Sequence, residues 1–177
     1  MPFETIQSET TYQGRVFHVR RDQVKLPNGH LTHLDIVSHA GAVAILPHHE
    51  GQIWFVRQYR HAAGQELLEL PAGGLEPGEE PAACAQRELQ EEIGMAATTL
   101  QRLGTIFLAP GYSTELLHIF FADGLTPSRL PGDEDEIIHL EKFSVEQVYA
   151  LVEQDFFKDA KTLAVLALAR PLLLGRK

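Results

Sequence analysis

GGLEPGEEPAACAQRELQEEIGM, residues 73–95, changes character halfway along, and that change decides how the surrounding chain folds. Its first part is rich in Gly and Pro and reads as a loop. From Pro81 onward the period becomes helical: Pro81 suits a first-turn position, and Gly94 suits the left-handed stop after the last turn. On that helix Glu88 and Glu92 stand at i and i+4, one above the other, with Glu91 beside them. Leu89 and Ile93, with Ala82 and Ala85, fall on the neighbouring face and are expected to be buried. Three carboxylates on one face repel each other by about a few tenths of a kcal/mol per pair, so a use for the negative field is implied. Arg87 reaches Glu91 at i+4 and can orient it. Cys84 lies one turn before Glu88, where its role is that of a small residue. Hard divalent cations such as Mg²⁺ take oxygen ligands of this kind, commonly one or two carboxylates plus water and phosphate.

Working outward, the upstream third reads as β. YQGRVFHV (12–19), RDQVKL (21–26) and LTHLDIV (31–37) are strand-like, and Pro27-Asn28-Gly29 carries the strongest short hairpin signal. GAVAILP (41–47) and QIWFVRQY (52–59) form a second pair, and the uniformly apolar GAVAIL fits a strand covered on both faces. Downstream come LQRLGTIF (100–107), ELLHIFFA (115–122) and IIHLEKF (137–143). A capping box at Ser144 and Gln147 opens a helix near 145–153, and a last helix runs from about Asp159 to Arg170. Strands and helices mix without a βαβ repeat. The expectation is therefore an α+β domain over residues 39–177, helices on a mixed sheet, preceded by a β segment at 1–38 that could form a separate flap.

The chain has 177 residues and a formal net charge of -9. Residues 73–95 hold six acids and one Arg, and the loop tetrad Asp133-Glu134-Asp135-Glu136 holds four acids, so these two segments carry the whole imbalance. The remainder is neutral. Nucleic-acid binding is not expected without a cluster of Arg. No run of 18 apolar residues suggests a membrane span, and MPFETIQSE lacks the pattern of a secretory signal. A single cysteine excludes an internal disulfide framework and fits a reducing cytoplasm.

An isolated E-x-x-E-E helix is ordinarily a solvated acidic face. Here nine positions are fixed over 23 residues, G73-x5-E79-x7-R87-E88-L89-x-E91-E92-x-G94-M95. This resembles, at every defined position, the signature box of the Nudix hydrolases. VRQYR (56–60), ELPAGGLEPGE (69–79) and Pro110, 15 residues past Met95, are similar to the ADP-ribose pyrophosphatase subfamily. The resemblance implies an α/β/α sandwich that binds Mg²⁺, with Mn²⁺ as a substitute, and hydrolyses ADP-ribose to AMP and ribose 5-phosphate. It also implies a homodimer built through the N-terminal flap. Alternatives are another nucleoside diphosphate sugar such as GDP-mannose, or a non-catalytic nucleotide-sensing module, although such modules generally lose box acids that are all present here. A Ca²⁺-binding structural protein would need the alternate-position ligand loop of an EF-hand, which is missing.

Carried over by position, the resemblance makes Glu88 and Glu92 the main metal ligands with the backbone carbonyl of Ala72, and gives Glu91 an additional ion. Two or three ions would bridge the phosphates and acidify the attacking water. Glu136, with Glu134 second, would be the loop carboxylate that accepts the proton of water. Arg87 belongs to this catalytic set by holding the box together with Glu79, not by touching phosphorus. Arg57, Arg60 and Glu69 match substrate-contacting positions, and the planar two-donor fork of Arg suits phosphate. A surface ion pair is the plainer reading of Arg60 and Glu69. Tyr12, Phe17 and Tyr112 are candidates for stacking on the base.

Overall fold

The computed structural model describes residues 2–132 and 136–175, and these cluster into two units. One comprises residues 1–41 and 106–117, the other residues 42–105 and 118–177.

The second unit is organised by GAVAIL. In β4 (Ala42–His49), residues Ala42 to Leu46 are each 8% exposed or less, as expected for a strand covered on both faces. Alternation sends Val43 and Ile45 to one side. There they cluster with Trp54 and Val56 of β5 (Gln52–Arg60) and with Cys84, Ala85 and Leu89 of α1 (Pro81–Glu92). On the other side α3 (Ala160–Leu174) packs on β4. Phe55 of β5 is fully buried between Phe157, stacked at 5.4 Å, and Phe143, edge-on at 5.9 Å. At about 1.5–3 kcal/mol for each large apolar side chain removed from water, this double-sided layer is the main store of stability.

The sheet runs in the order β10-β5-β4-β9-β8, where β8 is Met95–Phe107, β9 is Leu116–Pro127 and β10 is Ile138–Ser144. Two short strands complete it: β6 (Gln65–Glu69) pairs antiparallel with β5, and β7 (Ala72–Gly74) pairs antiparallel with β4. The result is the expected α+β arrangement of a mixed sheet with helices. Helix α2 (Val145–Glu153) opens on the full capping box: Gln147 N donates to Ser144 Oγ at 3.3 Å, and Ser144 N donates to Gln147 Oε1 at 2.8 Å.

The first unit is an antiparallel meander of β1 (Glu4–Gln13), β2 (His18–Lys25) and β3 (Leu31–Ser38). The Asn28-Gly29 hairpin forms as expected, with Gly29 at φ 84° and Asn28 Oδ1 accepting from His30 N at 3.0 Å. Within the same unit the loop containing Pro110 joins β3: Val37 N donates to Tyr112 O at 2.7 Å and Thr114 N donates to Val37 O at 2.9 Å.

Several expectations need correction. Residues 12–19 are not one strand, because Gly14 N donates to Phe17 O at 3.0 Å and closes a turn there. The first strand lies instead at 4–13, in polar sequence whose residues are all exposed, where ladder hydrogen bonds and not burial hold it. Ala82 is exposed; the buried face of α1 is Cys84, Ala85, Glu88 and Leu89. The stretch read as loop before α1 contributes β7, whose Ala-Gly-Gly has little strand preference and is recruited by its partner β4. Helix α3 runs past Arg170 to Leu174 with Pro171 inside it. Among the described residues no helix is long and apolar enough to cross a membrane.

Candidate active site

Helix α1 begins at Pro81 and is closed by Gly94 at φ 69°, and its 3.6-residue period sets which carboxylates leave the same face. Glu88 and Glu91 line a cavity of about 280 Å³ together with Arg87, Gly73, Gly74, Glu76 and Glu136. The helix, the loop before it and the segment before β10 thus meet at one place, although Glu136 is 48 positions after Glu88. Gly73 is required by this approach, because a Cβ there would collide with the Glu88 carboxyl. Glu92 reaches β7, where Ala72 N donates to its Oε2 at 3.2 Å.

Arg87 is the hub. Its Nη1 donates to Glu88 at 2.6 Å and Glu91 at 2.9 Å, while Nε and Nη2 both donate to Glu79 at 3.0 Å. Nη2 also donates to Gly74 O at 3.0 Å, and Cys84 Sγ donates to the same carbonyl at 3.4 Å. The Arg87 hydrogen bonds hold the Glu79 carboxyl down at about 2. Burial pushes the Cys84 thiol up to about 12, so it is an inert packing group.

The acids facing the cavity behave oppositely. Burial raises Glu88 to about 7 against the pull of Arg87, with the charges of Glu91 and Glu136 adding to the rise. Glu92 is raised well above the ordinary carboxylate range, by burial first and then by Glu88 and Glu136. Arg87 at Glu88 and the charge of Lys161 at Glu92 do not outweigh burial, and a further cation would favour the ionised carboxylates. Among the described residues there is no group of three His, Cys, Asp or Glu side chains that could by its own arrangement hold a metal ion. An open set of carboxylates suits Mg²⁺, which keeps waters and takes remaining ligands from phosphate. The donors therefore fit a hydrated divalent ion.

The other expected residues divide. Arg60 and Glu69 meet in a two-bond fork, Nε to Oε1 and Nη2 to Oε2, both 2.7 Å. Glu69 is only 1% exposed and its second oxygen also takes Lys161, so Arg60 is the member that faces outward. Arg57 does not join them; it ion-pairs with Glu141 of β10. Glu134 lies outside the described residues. Sequence reasoning missed Lys161, Asp159, Thr162 and Glu141. The signal available was Lys161 itself, a cation in the first turn of a helix, where the dipole disfavours one unless an acid is near.

The Nudix domain family model matches residues 37–166, and that of the nucleoside diphosphate sugar hydrolase N-terminal domain matches residues 3–32. Over 162 residues the chain is 38% identical to an ADP-ribose pyrophosphatase of Bacillus subtilis, covering 90% of this chain and 88% of that one. It is 48% identical over 125 residues to an ADP-ribose pyrophosphatase of Mycobacterium tuberculosis, 70% of this chain and 60% of the relative. A crystal structure of an ADP compounds hydrolase superposes with a TM-score of 0.88 at 27% identity, covering 99% of this chain and 96% of the other.

Proposed function

This chain belongs to the Nudix hydrolase family, and from that premise we propose that it cleaves the diphosphate of ADP-ribose to AMP and ribose 5-phosphate. The observation that carries the reading is the convergence of Glu88, Glu91 and Glu136 on one cavity, braced by Arg87, in a chain similar along most of its length to ADP-ribose pyrophosphatases. Glu88 and Glu92, with the Ala72 carbonyl, would hold Mg²⁺, or Mn²⁺ in its place, and Glu91 would bind or orient an additional ion. Bound there, the metal supplies charge neutralisation at the phosphate oxygens and a more acidic water.

The chain's own groups then have distinct tasks. Glu136 accepts a proton from water as its oxygen bonds to one phosphorus and the bridging P–O bond breaks. Glu134, three positions past Pro131, is the second candidate for that base. Arg87 and Glu79 fix the carboxylates, so that little reorganisation is needed as charge develops. Arg60 binds phosphate, with Glu69 behind it, and Arg57 stands on the same strand tied to Glu141. The division into a 1–38 dimerisation flap and a 39–177 catalytic domain, a homodimer, a cytoplasmic setting and a substrate that is a free nucleotide sugar and not nucleic acid belong to the same proposal.

A panel of nucleoside diphosphate derivatives, with phosphate measured after phosphatase coupling, tests the substrate. ADP-ribose is expected to give the highest kcat/KM. A higher value for GDP-mannose would reassign the specificity and leave the hydrolase reading standing. Calorimetric binding of ADP-ribose without turnover in Mg²⁺ would replace both with a sensing role.

A further inference from the structure

Helix α3 opens Asp159-Ala160-Lys161-Thr162, and the lysine occupies a first-turn position where the positive end of the helix opposes it. Its side chain is only 13% exposed. A buried ammonium persists there through its partners: Asp159 Oδ2 at 3.0 Å and a direct ion pair with Glu69 Oε2. Asp159 also accepts from Thr162 N at 3.0 Å and Thr162 Oγ1 at 2.6 Å, so the helix N-terminus supports its charge. That leaves Lys161 for Glu69.

Glu69 is pulled in two directions. Burial pushes its carboxyl up, but the Arg60 hydrogen bonds and Lys161 outweigh burial and hold it below the ordinary range. Arg60 therefore does not have to neutralise Glu69 alone. Its Nε and Nη2 are committed to the fork, and the planarity of the guanidinium then turns Nη1 away from Glu69. Arg60 is also the exposed end of the chain Asp159–Lys161–Glu69–Arg60 and feels the charge of Glu92. The same helical turn holds the strand itself, since Leu70 N donates to Thr162 Oγ1 at 2.9 Å.

Building on the hydrolase reading above, we propose that Lys161 is a positioning residue for the substrate diphosphate: by ion-pairing Glu69 it fixes the fork that aims Arg60 and leaves the charge of Arg60 available to phosphate. Lys161 touches neither substrate nor metal. With its cation removed, Glu69 and the phosphate compete for one guanidinium, and the loss falls on binding.

The test compares wild type, Lys161→Gln and Lys161→Arg, using ADP-ribose or the best substrate of the panel, with thermal midpoints measured alongside. Lys161→Gln is expected to raise KM about tenfold, the scale of one charge-assisted hydrogen bond. Its kcat should stay within about threefold of wild type, because the metal carboxylates are untouched. Lys161→Arg keeps the charge and is expected to return KM to within about threefold of wild type. If Lys161→Gln does not fold, Glu69→Gln/Lys161→Gln removes the competing carboxylate together with its cation, leaves the charge of Arg60 to phosphate, and is expected to hold KM within about threefold of wild type, a tenfold rise there overturning the inference. An unchanged KM in folded Lys161→Gln overturns the inference. So does a fall in kcat at constant KM, which would assign Lys161 to Glu92 instead. Wild type inactive on every member of the panel would overturn the hydrolase reading and this inference together; wild type active with an unresponsive KM overturns this inference alone.

Discussion

Glu92→Gln is expected to lower kcat for ADP-ribose at saturating Mg²⁺ by about a hundred- to a thousandfold, the scale on which one preorganised electrostatic contact to a transition state is worth. The substitution is a clean one. Glutamine preserves the shape of the side chain and can still accept from Ala72 N, so what is lost is the charge. In the absence of metal the same change should stabilise the fold. Burial and the charges of Glu88 and Glu136 raise the Glu92 carboxyl, which means that its ionised form is disfavoured in the folded protein. A thermal midpoint in EDTA equal to or above that of wild type, together with lost turnover, is the paired result. Undiminished hydrolysis would remove Glu92 from the metal site.

The second large effect is on stability. Arg87→Ala should cost about 2–4 kcal/mol, because it strips partners from Glu79, Glu88 and Glu91 at once and leaves partly buried carboxylates facing one another. For a chain of this size that is a drop of roughly 5–15 °C in the thermal midpoint. Arg87→Lys should recover little, since a single ammonium cannot reproduce five donors spread in a plane. The loss also has a pH signature. The Glu79 carboxyl is lowered from 4.5 to about 2, so its pairing contributes fully above pH 4.5 and is lost as the pH falls toward 2. Acid unfolding of the Arg87→Ala variant, followed by circular dichroism, should therefore lack that component. An acid transition superimposable on that of wild type would show that the pair does not stabilise the box.

Much of this was legible in the sequence because the signals were local. Pro81, Gly94 and the Ser144–Gln147 box mark helix ends through backbone groups within one turn, and the folded ends match. GAVAIL declared a doubly covered strand by having no polar residue at either parity. The spacing of Glu88, Glu91 and Glu92 guaranteed a shared face once the helix formed. What escaped depended on distant partners. Strand β7 exists because β4 offers it a ladder, and nothing within Ala72–Gly74 announces that. Ala82 is exposed because the buried stripe is centred nearer Cys84 and Glu88 than periodicity indicated. Arg57 and Arg60 look equivalent in VRQYR, yet strand alternation and their neighbours send one to Glu141 and the other to Glu69. Lys161, 92 positions from Glu69, belongs to the same class.

Diphosphate hydrolysis is expected to depend on a cation held by the raised carboxylates of α1. The most direct test is the Mg²⁺ dependence of AMP release from ADP-ribose, measured across pH 6 to 8 and in EDTA. Proton and metal compete for Glu88, whose carboxyl stands at about 7 without metal, so the Mg²⁺ needed for half-maximal rate should fall as the pH rises through that value. In EDTA no AMP should form. AMP release that persists in EDTA, or a Mg²⁺ requirement that stays constant across this range, would show that hydrolysis does not run on a cation held by Glu88 and its neighbours.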